Sequence, residues 1–465
     1  MYREKLLGDQ PRWLLKYVSS MEDDREIALE VIEVLKAHVK HLLEIKVIPS
    51  EEAGKIISTL SRLEENPQEL FSIEAEDIHE AIEVYLKREV GEGAGWLSLG
   101  RSRNDHVAAA LRIHMKRLVR ELMISLIELR RALINKAKEH IETPIPMLMH
   151  LQPAQPITLA HYLLYIEEEI SSHFTLLKST LTSLIDKSPL GAAAGAGTSL
   201  PINRWELARK LGFNDLALNT LYATSSRSFL TITSSIITNL MVALSRVAED
   251  FIIMCTPQFN YFKPPTSHLA TSNIMPQKRN LVTMEILRAR AGECIGLLNS
   301  LFSILKSTPS GYNLDLQELS RSAWKIARNA IESIKVISDF IEKLEVNKEV
   351  LASEVDKYMM LTADLVESLS IKAKIPHREA YKVVAEAIKK CRDLKELIDY
   401  LRNKLTIKFD FPIKAINAIE LKSTSGSPSK VRVLEMLGAA NYRLTEDMKW
   451  LSSYFSTKKY GPLKS

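Results

Sequence analysis

Turn-forming residues are scarce in this chain. It has 16 glycines and 18 prolines in 465 residues, well under the usual shares of about 7% and 5%. That scarcity argues against a fold of many short strands and favours long helices. Cysteine is scarcer still, with Cys255, Cys294 and Cys391 far apart and outside any CxxC or zinc-type spacing. This excludes a disulfide scaffold and a zinc ribbon, and fits a reducing cytoplasm. Excess charge is also missing: the net +5 at pH 7 is small for the length and spread along the chain. Neither nucleic acid nor a membrane surface is expected as a partner. No run of 18 uncharged apolar residues occurs, so no bilayer span is expected. The opening MYREKLLGDQPR carries acids and no apolar stretch, which argues against a signal peptide.

What the chain has in quantity is apolar residues at helical spacing. Hydrophobic residues make up 46% and charged residues 26%, the composition of a protein that buries a core. The length suits roughly two to four domains. From Asp105 to about Ile141 nothing breaks a helix, and Val107, Leu111, Met115, Leu118, Leu122, Leu126, Leu129 and Leu133 recur at steps of three and four. That spacing predicts one helix of roughly 36 residues. Similar stretches run over 157–187, 225–255, 281–307 and 315–344. Helices of this length form bundles, and a second apolar face predicts a homo-oligomer. Shorter helices flank them, over 24–43, 50–63 and 77–90 before, and 357–373, 377–391, 394–405 and 430–454 after. Ser50 is read as the N-cap of the second of these. The fold class is therefore all-α, with an N-terminal helical domain over 1–104, a central long-helix bundle over 105–350, and a C-terminal helical domain over 351–465.

Four connecting segments carry dense polar sequence, and such loops on a rigid scaffold are where chemistry concentrates. Gly100 to Asp105 places two arginines at a helix start, suited either to an N-cap on Asn104 or Asp105 or to an anion site. His150 to Pro156 leads into the second long helix. Gly191 to Pro201 lacks the GK[ST] of a phosphate loop and reads as a flexible connector. Thr271 to Asn280 is the richest, with Ser272, Lys278 and Asn280 within nine residues and Glu285 a turn into the next helix. A nearby ammonium favours a serine alkoxide and stabilises a carboxylate-derived anion.

The run Ser272-Asn273-Ile274-Met275-Pro276-Gln277-Lys278-Arg279-Asn280 resembles the signature loop of the fumarase/aspartase superfamily, and Gln277 before Lys278 points to its argininosuccinate lyase branch. Other segments agree, in the order of that branch. Glu76-Asp77-Ile78-His79 with Glu83, Ser102-Arg103-Asn104-Asp105, His150-Leu151-Gln152 with Ala154-Gln155-Pro156, and Tyr312-Asn313 with Asp315-Leu316-Gln317-Glu318 each resemble one of its motifs. So do Thr362-Ala363-Asp364-Leu365 and Ile375-Pro376. Ser20 matches the serine of its N-terminal substrate loop.

The resemblance implies a three-domain fumarase/aspartase-like fold, a homotetramer around a twenty-helix bundle, and active sites each built from three subunits. It implies reversible cleavage of argininosuccinate to arginine and fumarate in the cytoplasm, with no metal and no cofactor. Ser272 aligns with the catalytic base, Lys278 with its supporting cation, His150 with the second catalytic group and Glu285 with the carboxylate that orients it. Ser20, His79, Ser102, Arg103, Asn104, Asp105, Gln155, Asn280, Tyr312 and Gln317 align with substrate-binding positions. The chain departs from the pattern at several places. Met149 replaces a threonine, Thr271 and Asn273 replace a glycine and a serine, and Leu314 replaces an arginine. Ser226 and Ser228 stand where two acids flank Arg227, and Ser320 stands where a substrate-binding lysine is usual. The chemistry reads as kept and the substrate contacts as altered. Two other readings compete: a sister lyase releasing fumarate from another substituted succinate, and a non-catalytic oligomer of the same fold.

Overall fold

The computed structural model describes residues 8, 11–406 and 409–456. The opening MYREKLLGDQ, apart from Gly8, lies outside the described residues. We label the helices of twelve or more residues. Before the bundle come α1 (Ala28–Glu44), α2 (Ser50–Glu65) and α3 (Ile78–Val90). The bundle itself is α4 (Arg103–Glu139), α5 (Leu159–Thr180), α6 (Ser228–Met254), α7 (Val282–Leu305) and α8 (Glu318–Lys343). Then follow α9 (Thr362–Ala373), α10 (His377–Ile388), α11 (Leu394–Leu405) and α12 (Lys430–Tyr454).

Helix α4 has 37 residues, about 55 Å at 1.5 Å per residue. It packs on α5 and α8, while α6 packs on α5, α7 and α8. One apolar core runs from α1 through the five long helices to α12, and a second gathers residues 361–418 on its own. The chain goes up and down. Arg112 near the start of α4 bonds Leu184 beyond the end of α5, and Tyr162 at the start of α5 bonds Asp250 near the end of α6. Arg288 early in α7 pairs with Glu249 late in α6. The bundle therefore has a first end, where α4, α6 and α8 begin, and a second end, where those helices finish and α5 and α7 begin.

Helix α6 is long and apolar enough to cross a membrane by length and composition, with a mean hydropathy of 1.5. Here it is the helix on which α5, α7 and α8 converge, and Thr233, Ser234 and Thr238 are buried along it.

Several expectations need correcting. Ser50 is the first helical residue of α2, and Pro49 occupies the cap with no side-chain bond. No helix runs continuously over 357–373: one ends at Lys357, Met359 takes a left-handed φ of 48°, and α9 starts at Thr362. The segment after α4 is a β-hairpin, β1 (Pro144–Met149) paired with β2 (Gln152–Thr158). Its four prolines argue against strands, but the pair is an isolated two-stranded ribbon, which has only edges. A second small hairpin pairs β3 (Ala270–Thr271) with β4 (Arg279–Asn280).

Candidate functional site

At the first end, Ser102 caps α4. Its hydroxyl accepts from Asn104 N–H at 3.2 Å, and Asp105 returns a carboxylate to Ser102 N–H at 3.1 Å. The cap is thus Ser102, while Asn104 and Asp105 sit inside the first turn. Three successive cap-competent residues made the choice ambiguous, and the reciprocal capping box decides it. The other oxygen of Asp105 accepts from Gly191 and Ala193 N–H at 3.1 and 3.0 Å. Arg204 holds the far side of that segment through Leu190, Ala217 and Leu218 carbonyls. The Gly191 to Pro201 connector is therefore a tied loop rather than a flexible one. Gly191 is required there: its φ is 77°, and a Cβ would lie 2.8 Å from Arg204.

Around this cap the chain brings together six more of the expected substrate-binding residues: Ser20, His79, Arg103, Asn104, Tyr312 and Gln317. Gln317 donates to the Ser20 hydroxyl at 3.1 Å, and Ser20 donates to Asp24 at 2.8 Å. Arg103 pairs with Asp77 at 2.8 Å, and Asp77 caps α3 through Glu80 N–H. Ser20, Asp24, Asp77, His79, Arg227, Tyr312, Gln317 and Ser320 wall one small cavity of about 20 Å3, room for about one water. Asn104 stands half-buried at the helix start. Burial pushes the Asp24 carboxyl up to about 7, and Asp105 likewise to about 7.

Buried histidines crowd the same end. His79 and His106 have no ring-nitrogen partner among the described residues, and His38 packs edge-on against His106 with centroids 5.0 Å apart. Burial holds His79 and His106 well below the usual range, and His38 down to about 3. His41, His140 and His161 are also lowered by burial. A histidine kept neutral in the fold stabilises it fully above about pH 6.5, and loses that effect as the unfolded chain takes up protons below it. Asp24 and Asp105 act the other way between pH 4 and 7, because the fold holds their protons more tightly. The histidines outnumber these acids, so stability falls as pH drops from 6.5 to 5. Urea midpoints at several pH values check this. His106→Phe, which removes one such group from an apolar niche, should make the slope shallower by about 1.4 kcal/mol per pH unit.

The expected catalytic residues lie at the second end. His150 and Leu151 form the two-residue turn of the β1–β2 hairpin, with φ of 55° and 59°. Positive φ at both centres is the type I′ turn, and a leucine there is unusual enough to mark a constrained position. Gln155 pairs opposite Met147 on that hairpin. Ser272 begins the tip of the β3–β4 hairpin, and its hydroxyl accepts from Met275 N–H at 3.1 Å. Lys278 is exposed and Asn280 half-buried on the return strand. Below them His268 is fixed between Thr283 at 2.8 Å and Asp339 at 2.9 Å. Glu285 is exposed in the first turn of α7.

Among the described residues, no hydrogen bond, ion pair or shared cavity joins the two ends. Ser272 precedes α7 and Tyr312 follows it, and that helix of 24 residues spans about 36 Å. A substrate the size of two joined amino acids does not bridge that within one chain. Among the described residues, no hydrogen bond or ion pair joins Glu285 to His150.

Arg227 and one polar cluster were not singled out from the sequence. Arg227 is 1% exposed and faces the first-end cavity. Its signal was available: it is the lone charge between Asp215 and Arg246. His41, Glu44 and Glu206 cluster closely enough to share a metal ion. They do not fit one, because Asn203 N–H donates to His41 Nε2 at 3.1 Å. The neutral ring then carries its proton on Nδ1, the atom facing both carboxylates at 3.7 and 3.6 Å, and a metal-bound imidazole needs that lone pair free.

Comparison with known proteins agrees with this architecture. A family model described as a lyase matches residues 8–296. An argininosuccinate lyase of Pyrococcus furiosus is 46% identical over 451 residues, 97% of each chain. An EDDS lyase variant with bound fumarate superposes with a TM-score of 0.82 at 26% identity, over 93% of this chain and 89% of that one. A class II fumarase from Schistosoma mansoni shares the fold, with a TM-score of 0.72 at 18% identity over 84% of this chain and 90% of that one.

Proposed function

This chain belongs to the argininosuccinate lyase family, and on that premise we propose that it cleaves argininosuccinate reversibly to arginine and fumarate in arginine biosynthesis. The observation that carries the reading is likeness to that enzyme over 97% of the chain, with Ser272, Lys278 and Asn280 kept on the β3–β4 hairpin. Ser272 takes the proton from the succinyl carbon beside a carboxylate. Lys278, with Asn280 and loop N–H groups, holds the resulting dianion, whose charge is what makes the proton hard to remove. The C–N bond then breaks, and His150 gives a proton to the departing guanidino nitrogen, with Glu285 behind it to set its tautomer. Ser20, His79, Arg103, Asn104, Gln155, Tyr312 and Gln317 bind substrate, while Ser102 and Asp105, spent on the helix cap and the Gly191 loop, hold that end in shape.

The separation of the two ends supports a site shared between subunits, in which the second end of one chain meets the first end of another. Apolar residues left open on the bundle helices support the same homotetramer: Ile232 on α6, and Ile286, Ile295 and Phe302 on α7, are each more than 40% exposed. Three free cysteines support a cytoplasmic setting. The test is fumarate absorbance on adding argininosuccinate to the purified oligomer. Turnover is the expected result. Turnover with another substituted succinate and none with argininosuccinate would overturn the reading in favour of a sister lyase, the outcome to which Met149, Leu314 and Ser320 would then be traced.

A further inference from the structure

The hairpin that carries Ser272, Lys278 and Asn280 has little of its own to hold it still. Its ladder is two residue pairs, Ala270 with Asn280 and Thr271 with Arg279, and a two-stranded hairpin is at best marginally stable in water. No residue from 270 to 280 is buried. Among the described residues, the side-chain bonds of this tip stay inside it. Ser272 accepts from Ile274 and Met275 N–H, and Arg279 donates to the Pro276 and Lys278 carbonyls at 2.6 and 3.1 Å. Proton transfer is far more demanding than this, since misplacing a reacting group by about 1 Å can cost about 10²-fold in rate. The precision has to come from the feet of the hairpin.

His268 stands at the first foot, two residues before β3, and is buried at the end of the turn Thr266–His268. Its Nδ1 meets the Thr283 hydroxyl at 2.8 Å and its Nε2 the Asp339 carboxylate at 2.9 Å. Thr283 is the second residue of α7, just past Asn280 at the other foot. The first contact therefore closes the base of the loop, and the second ties that base to the end of α8. The ring also lies edge-on to Phe340, with centroids 5.4 Å apart. Phe340 is wholly buried and packs on Phe251 of α6. Lys343 bonds Asp339 at 2.5 Å, and together with His268 it holds that carboxyl below the usual range. Asp339 thus stays ionised and can only accept. Nε2 of the neutral ring therefore carries the proton, and Nδ1 accepts from Thr283. Both nitrogens are spent, and among the described residues no bond joins His268 to Ser272, so the ring is no second base.

We propose that His268 is a positioning residue for the reaction: it clamps the β3–β4 hairpin to the start of α7 and the end of α8, and so sets where Ser272 and Lys278 stand against the substrate. The inference rests on the argininosuccinate lyase reading, which gives that hairpin the proton transfer. Glu285 lies two residues beyond Thr283, so the same clamp fixes the turn of α7 that carries it. An imidazole suits the place. One rigid ring reaches partners on two helices, where a long flexible side chain would lose more rotamer freedom in doing so.

The experiment follows turnover and hydrogen exchange in the purified oligomer. His268→Leu keeps an apolar side chain against Phe340 and removes both bonds. It should lower kcat for fumarate formation about 30- to 100-fold with KM for argininosuccinate within about threefold, because the contacts at the first end are untouched. Amide exchange should quicken about tenfold across 269–282 and stay as it was along α6. His268→Gln, whose amide N–H can still reach Asp339, should regain most of kcat. Thr283→Val cuts the first tie alone and should cost about fivefold in kcat; if His268→Leu does not assemble, full activity in Thr283→Val overturns the proposal. A kcat within about threefold of wild type in His268→Leu also overturns it. So does a His268→Gln variant as slow as His268→Leu with its unfolding midpoint lowered by the same amount, the mark of a histidine that only supports the fold. If the wild-type protein releases no fumarate, the functional reading fails separately. Exchange across 269–282 then still decides whether His268 holds the hairpin, and unchanged exchange in His268→Leu overturns that.

Discussion

Ser272→Ala should lower kcat for fumarate formation by about 10³-fold, the middle of the range for loss of a proton-transferring side chain, while leaving the thermal unfolding midpoint where it was. The second half of that expectation follows from the loop's position. Ser272 sits at the start of an exposed hairpin tip and, among the described residues, its hydroxyl serves the Ile274 and Met275 N–H groups alone. Its loss costs a surface turn and no core contact. A fall in midpoint together with activity would mean that the loop was damaged rather than the chemistry. Arg103→Gln should also be severely impaired, through the substrate contacts at the first end.

Mixing the two variants then gives a result that neither gives alone. If each site takes Ser272 from one chain and Arg103 from another, co-refolded equal mixtures carry both intact groups in about one site in four, because the two are drawn independently at one half each. About a quarter of wild-type activity should return on top of two nearly inactive parents. If one chain supplied both groups, every site would lack one of them and nothing would return. The roughly 36 Å length of α7 between Ser272 and Tyr312 is the reason to expect the first outcome.

The same geometry explains what could be read from the sequence. The five long helices were legible because their signal is local: apolar residues at steps of three and four with nothing to break them. The candidate residues Ser272, Lys278, His150 and Arg103 were picked out by motifs of characteristic order. Their arrangement was not, because spacing along a chain says nothing about which chain end meets which. The β1–β2 hairpin was missed for a different reason. Pro144, Pro146, Pro153 and Pro156 disqualify a strand inside a sheet, and His150-Leu151 lacks the Asn-Gly signature of a tight turn. An isolated ribbon needs neither condition. Arg227 was read only as the residue between Ser226 and Ser228, because its depth is a property of the fold and no periodicity reports it.

Glu167→Gln should destabilise the protein by about 3–5 kcal/mol, the cost of leaving a buried charge without its partner. Glu167 is wholly buried on α5. It receives Arg130 of α4 at 2.8 Å and Arg443 of α12 at 2.9 Å, and Arg130 also reaches Asp447 of α12 at 2.7 Å. Two cations and two anions balance there, and the amide leaves one positive charge in excess with Arg130 fully enclosed. The network joins the last helix to the bundle, so the loss should appear first as faster hydrogen exchange along α12 and then as a lower guanidinium midpoint. Replacing Arg130 and Glu167 together, by Met and Leu, removes both charges and should recover most of the loss. The recovery separates two roles for the network. A buried ion pair adds little net stability against an apolar pair of the same size, so near-complete recovery would mean that its contribution is to fix where α12 docks. A single-variant loss under about 1 kcal/mol would mean instead that water reaches Arg130 once the carboxylate is gone.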